Sequence, residues 1–365
     1  MTVGYVSLKH GVWRTDLGGA SVLFVPSRSQ ILGSSDLVDG LWDRLSVGMW
    51  WADFASAVDD AGLDPEDVFR DLMNQGLIEE VLPQPETGQV ARSLFLDLAG
   101  VPIGLHLCDT RLGELLHVLV GHLQVEPRRC DDHIVVAHRA DALGVATAGE
   151  GVEWSPWEEA VPAVKIALTD CILEHLGKLI LHTAAVSRGS EAMLISGEPG
   201  MGKSTLSVAL GASEFCLEGD DIAYVEADGR VAGIPFPATL KDGSWPMLTS
   251  FRPDLENQNE YIRPDDETVR YLPHDPNLTV SPKSLRCLVC LARGDNQAPE
   301  IQELTPLEGL AALLEGAWSK GNQLTTENFE ALAACVASAP VYRITYSDLL
   351  TAVKLAQQVW ERSAR

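Results

Sequence analysis

The sequence predicts an α/β protein, a phosphate-loop core preceded by a small α+β unit. The first observation behind this is the stretch at residues 197–204, Gly-Glu-Pro-Gly-Met-Gly-Lys-Ser, entered from the apolar run Ala192-Met-Leu-Ile-Ser196. The second is the acidic strand start Gly219-Asp220-Asp221-Ile-Ala-Tyr-Val-Glu226, downstream of it. The third is a change in pattern near residue 80, from short strands and amphipathic helices to longer aliphatic runs.

In chain order, Gly11-Val-Trp-Arg and Ala20-Ser-Val-Leu-Phe-Val25 read as strands separated by a Gly18-Gly19 turn. Ser35 or Asp36 can cap a helix whose apolar residues at 37, 38, 41, 42 and 45 form one stripe. Residues 49–58 present a second apolar face through Trp50, Phe54, Ala57 and Val58. Asp64-Pro65 supplies a cap and a first-turn proline for a third helix that Gly76 ends, and residues 77–82 follow as a strand. This order makes residues 1–82 a winged-helix-like α+β domain. Glu66, Asp67 and Asp71 against the single Arg70 make its third helix acidic, which suits peptide binding better than a DNA groove.

Residues 83–92 read as a linker and residues 93–365 as the core domain. Strands are expected at 94–98, 103–107 and 133–137, with helices at 112–123 and 157–179 and a closing helix at 347–362.

The net charge of −25 argues against nucleic acid and favours a basic or neutral partner. No apolar run approaches the eighteen residues of a membrane span, and the N-terminus lacks the layout of a secretory signal, so the expectation is a cytoplasmic protein away from membranes. Cys287-Leu-Val-Cys290 has metal spacing but lies inside a strand-like run without a second pair, which reads as core packing.

Glycines at 197, 200 and 202 let backbone N–H groups turn inward around a polyphosphate, and the helix beginning near Lys203 adds its positive end. Lys203 would meet the β- and γ-phosphates and the Ser204 hydroxyl a Mg²⁺ ion, with Glu198, Pro199, Met201 and Thr205 completing the nucleotide-binding loop. Adjacent side chains on a strand face opposite ways, so Asp220 and Asp221 are expected to divide the roles of metal ligand and proton acceptor.

His182, in Leu179-Ile-Leu-His-Thr-Ala-Ala-Val186, precedes Lys203 by twenty-one residues, and the acid pair follows Lys203 by seventeen and eighteen. This spacing resembles the catalytic core of HPr kinase/phosphorylase and its kinase-like relatives, the latter including members of peptide-natural-product pathways. Leu240-Lys-Asp-Gly-Ser244 resembles the Leu-Lys-x-x-Ser segment of those members. The resemblance spans about residues 94–359 and is sharp over 182–226. It implies a P-loop, PEP-carboxykinase-like core that uses ATP and Mg²⁺ to phosphorylate a Ser or Thr hydroxyl. It further implies Asp221 as base, Asp220 with Ser204 on the metal side and His182 orienting the acid, although sequence alone leaves the order of the two acids open. Lys241 is read either as a contact to the transferring phosphoryl group or as a solvated lysine. The family assembles as hexamers, which leaves a homo-oligomer open. Where HPr kinases carry a Glu-Ile-Arg-Gly-Leu-Gly-type signature this chain has Ile234-Pro-Phe-Pro-Ala-Thr-Leu-Lys, a departure that argues against HPr as substrate and against the phosphorylase reaction.

The N-terminal unit, ending Asp71-Leu-Met-Asn-Gln-Gly-Leu-Ile-Glu-Glu, resembles the peptide chaperone of pyrroloquinoline quinone biosynthesis, the fold that serves ribosomal-peptide tailoring enzymes as a leader-recognition element. That resemblance implies a precursor peptide as partner, its leader adding as a strand near residues 22–25. The expectation is thus a kinase of a leader-bound peptide, with a nucleotide-regulated peptide scaffold and an ATPase without peptide acceptor as rivals.

Overall fold

The computed structural model describes residues 5–82, 90–139, 141–147, 151–274, 280–294, 298–318 and 324–364. Most of the expected linker, residues 83–89, lies outside them. Two compact units emerge: residues 1–94, 104–113 and 130–160, and residues 95–103, 114–129 and 161–365.

In the first unit, local signals set the helices. The Ser35 hydroxyl accepts from the Val38 amide to start Asp36–Val47, and the Asp64 carboxylate accepts from the Asp67 amide to start Pro65–Gln75. Gly76 stops the latter in the left-handed conformation (φ 75°). With Trp51–Asp60 between them, these helices bury Leu41, Leu45, Phe54, Val58 and Leu72 against Val6, Leu23 and Val25 of the strands. Each such aliphatic side chain is worth about 1.5–3 kcal/mol when fully buried.

Two small sheets flank this core. Tyr5–Leu8 pairs antiparallel with both Met49–Trp50 and Ile78–Val81. Ala20–Val25 pairs with Trp13–Leu17 on one side and Gln30–Gly33 on the other. This corrects the expectation of an open edge near residues 22–25. Ala20–Val25 is the centre of its sheet, because a further strand, Gln30–Gly33, turns back onto it, and the open edges are its two neighbours. Residues 130–160, read as part of the core domain, pack in the first unit. Leu82 is buried there against Val135, Ala137 and Ala146.

The second unit is built on a six-stranded mixed sheet. Its order is Cys216–Gly219, Ala184–Arg188, Glu191–Ser196, Ser284–Arg293, Val341–Tyr346 and Glu300–Leu304. Glu191–Ser196, Ser284–Arg293 and Val341–Tyr346 run parallel and the rest antiparallel. One face carries Val186, Ile195, Cys287 and Val289 against the helices Lys203–Gly211 and Leu349–Arg362. The other carries Leu194, Leu288 and Cys290 against Pro306–Leu314 and Thr326–Ala337. Strand alternation thus puts Cys287 and Cys290 on opposite faces, so the pair cannot share a metal ion. Six of the seven cysteines are wholly or partly buried, and Cys216 is the exposed one.

The expected helix at 112–123 resolves into single turns, Leu112–Leu115 and His117–Val120, within a stretch that Gly113 and Gly121 weaken. The expected helix at 157–179 runs as Ala160–His175, with Gly177 left-handed (φ 66°) beyond it. The closing helix starts at Leu349, where Asp348 caps it by accepting from the Thr351 amide. Among the described residues no helix is long and apolar enough to cross a membrane.

Candidate active site

The phosphate loop leaves the C-terminal end of Glu191–Ser196, a parallel strand, and feeds straight into Lys203–Gly211, the position where open α/β sheets bind ligands. Gly200 and Gly202 adopt φ of 84° and 92°, a region in which a side chain is strained. A Cβ on Gly202 would also stand 3.0 Å from the Tyr346 hydroxyl. That hydroxyl donates to the Met201 carbonyl, tying the loop to the end of Val341–Tyr346. Glu198, Pro199 and Gly200 are exposed at the crest of the loop, where the Met201 amide donates to the Glu198 carbonyl at 3.2 Å. Thr205 lines a small recess with Gly202, Arg293, Tyr346 and Asp348. Lys203 donates from Nζ to the Gly197 carbonyl at 2.7 Å. Burial lowers the pKa of its ammonium, while the charges of Asp221 and Asp220 work in the opposite direction.

The two acids follow the strand Cys216–Gly219, which Ala184–Arg188 separates from the strand that precedes the loop. Asp220 is 3% exposed. Its Oδ2 accepts from the Thr239 amide at 3.0 Å and its Oδ1 from the Ser207 hydroxyl at 3.4 Å, and the Ser204 hydroxyl bonds to it as well. Burial raises its pKa to about 6, the charge of Asp221 adds to the rise, and Lys165, the Thr239 amide and Ser204 restrain it. Asp221 has a 44%-exposed side chain, with His182 Nδ1 3.2 Å from its Oδ1. Backbone anchors the histidine in turn, its amide donating to the Gly316 carbonyl at 2.8 Å.

The candidate residues therefore gather into two linked groups. Ser204 with Asp220 forms one, His182 with Asp221 the other, and Lys203 feels the charge of both acids. Lys241 stands apart, exposed at the end of Ala238–Lys241 and paired with Glu267 at 3.1 Å. Among the described residues no group of three or more His, Cys, Asp or Glu is arranged to hold a metal. One serine hydroxyl and one carboxylate are nevertheless the donors a Mg²⁺ ion takes from protein when phosphate oxygens and water complete its octahedron, so the residues present fit Mg²⁺ with a nucleotide.

Sequence reasoning passed over Lys165, Thr239 and Tyr346. Thr239 bridges Asp220 to Lys165, whose Nζ donates to the Thr239 hydroxyl at 2.6 Å. The clue for Lys165 was a lone cation in the apolar stretch Val161-Pro-Ala-Val-Lys-Ile-Ala-Leu168. A cleft of about 280 Å³ opens beside Asp221, walled by Lys165, Thr239 and Tyr271.

No family model matches the chain, and no curated protein matches it. Among solved structures, the chain is similar to the Hpr(Ser) kinase/phosphatase from Coxiella burnetii, at 12% identity and a TM-score of 0.24, over 50% of this chain and 92% of that one.

Proposed function

We propose that the protein is a kinase that transfers a phosphoryl group from ATP to a Ser or Thr hydroxyl of a bound precursor peptide. The observation that carries this reading is the junction of two chemistries at one sheet end. A glycine loop with a buried lysine meets a buried acid bonded to Ser204 and an open acid bonded to His182. ATP with Mg²⁺ would supply the transferable group and neutralise its charge. Loop amides and Lys203 hold the phosphates, and Ser204 and Asp220 offer oxygens to the ion. Asp221 accepts the proton of the acceptor hydroxyl, and His182 holds the carboxylate in orientation. The division follows from environment: the enclosed acid cannot reach an incoming substrate, whereas the exposed one borders a cleft.

Residues 1–82 bind the leader of the precursor in this reading. The leader adds as a strand along Trp13–Leu17 or Gln30–Gly33, the edges left open in their sheet. Tethering raises the local concentration of the acceptor and lets a weak grip at the active site suffice.

Mass spectrometry of candidate precursors incubated with ATP and Mg²⁺ tests the whole reading. The expected result is a gain of one phosphate, slowed by free leader peptide added in trans. ATP loss without peptide modification would point to a hydrolase instead. Tight peptide binding with neither change would point to a scaffold.

A further inference from the structure

Lys165 sits in the helix Ala160–His175 and is 8% exposed. Its ammonium carries three donors, and among the described residues it makes one hydrogen bond, to the Thr239 hydroxyl at 2.6 Å. The rings of Tyr271 and Phe236 lie 5.7 and 5.8 Å from Nζ and offer their faces, not acceptor atoms. Asp220 attracts the ammonium through space, but its own oxygens already receive the Thr239 amide and the Ser204 and Ser207 hydroxyls. Beyond Thr239 the described residues give this ammonium no further hydrogen-bond acceptor, and Lys165 lines the cleft that Asp221 borders.

The other charges around the cleft are committed. Arg263 pairs with Asp265 at 3.1 Å, and Asp170 has a partner of its own. At about 280 Å³ the cleft is near the lower end of small-molecule sites, enough for one side chain and its neighbour and too small for a folded element. Pro162, Ile166 and Tyr271 give it an apolar lining around the two polar anchors.

We infer that this cleft receives an acceptor whose hydroxyl meets Asp221 while a carboxylate a few atoms away is bound by Lys165. The inference rests on the phosphoryl-transfer reading above and sharpens its substrate class. The acceptor is a hydroxyl with its own acid group, either a Ser or Thr α-carboxylate or an acidic residue next to the Ser or Thr of a peptide. A charge-assisted bond to the carboxylate satisfies the ammonium that Thr239 alone leaves short.

Isothermal titration of the full chain, with Mg²⁺ and a non-hydrolysable ATP analogue, tests this with two matched pairs. The pairs are N-acetyl-L-serine against N-acetyl-L-serinamide, and N-acetyl-Ser-Asp-amide against N-acetyl-Ser-Asn-amide. The acid member of one pair is expected to bind at least tenfold more tightly. A preference in the first pair identifies an α-carboxylate, and one in the second a neighbouring acidic residue. Lys165→Met should abolish the preference and Lys165→Arg should keep part of it, with melting curves checking that both variants fold. Equal binding of acids and amides, no binding by any of the four, or a preference that survives Lys165→Met would overturn the inference. In that last case Lys165 is only the counter-ion of Asp220. Titration of the analogue alone is read separately, and its failure to bind sinks the phosphoryl-transfer reading instead.

Discussion

The inner corner of the site, around Asp220, is dry and closed by hydrogen bonds, whereas its outer flank, around Asp221, faces water, a histidine and a cleft. Two residues adjacent in the chain thus occupy opposite electrostatic settings, because the strand before them ends at the boundary between core and solvent. Identical side chains acquire different chemistry from this. The inner acid holds its proton to an unusually high pH, and the outer one is free to meet a substrate.

The largest effect expected from disturbing this contrast is on the outer flank. Asp221→Asn should lower transfer by about 10²–10⁴-fold, the usual worth of a general base, while the affinity for a fluorescent ATP analogue stays nearly unchanged. A rate within a few-fold of the parent would remove the base assignment. Lys203→Ala should instead weaken analogue binding, measured directly, and lower transfer along with it.

The inner corner is tested through stability. A carboxyl whose pKa rises from 3.8 unfolded to about 6 folded gives stability that is fully present below pH 4 and lost as pH rises through 6. This group alone should make the metal-free protein about 2 kcal/mol less stable at pH 8 than at pH 4. Asp220→Asn, which cannot ionise, should erase that component and melt higher than the parent at pH 8 in EDTA. A variant that melts lower at pH 8 would show that the hydrogen bonds of Asp220 outweigh the burial of its charge.

Smaller effects mark the margins. Tyr346→Phe removes the hydroxyl that ties the loop at Met201 and should cost about 1 kcal/mol, read in urea titrations with a matching loss of analogue affinity. Lys241→Ala breaks only an exposed pair with Glu267 and should change stability by less than about 1 kcal/mol. A transfer rate reduced more than tenfold by that change would bring Lys241 into the chemistry after all.

The contrast also explains what was readable beforehand. A phosphate loop demands glycines at positive φ and a lysine at a fixed offset, so its chemistry is written in consecutive residues. The acid pair stood out as consecutive carboxylates, whereas His182 was singled out only by its spacing from the loop. Lys165 was far less legible, because its only local mark is being a lone cation in an apolar stretch and its partner Thr239 is seventy-four residues away. In the first unit, capped and periodic helices were plain, yet the strand order was not. Tyr5–Leu8 finds Ile78–Val81 across the whole unit, and Gln30–Gly33 is too short to announce itself. The open edge was misplaced because pairing between strands is decided by tertiary contacts.

The distribution of thiols offers a practical return. Buried sulfhydryls react slowly with maleimides, so a dye should settle first on Cys216, which begins the strand that runs into the twin acids. The molecule thus carries its own attachment point for an optical probe on the strand leading to the candidate site, with no engineered cysteine required.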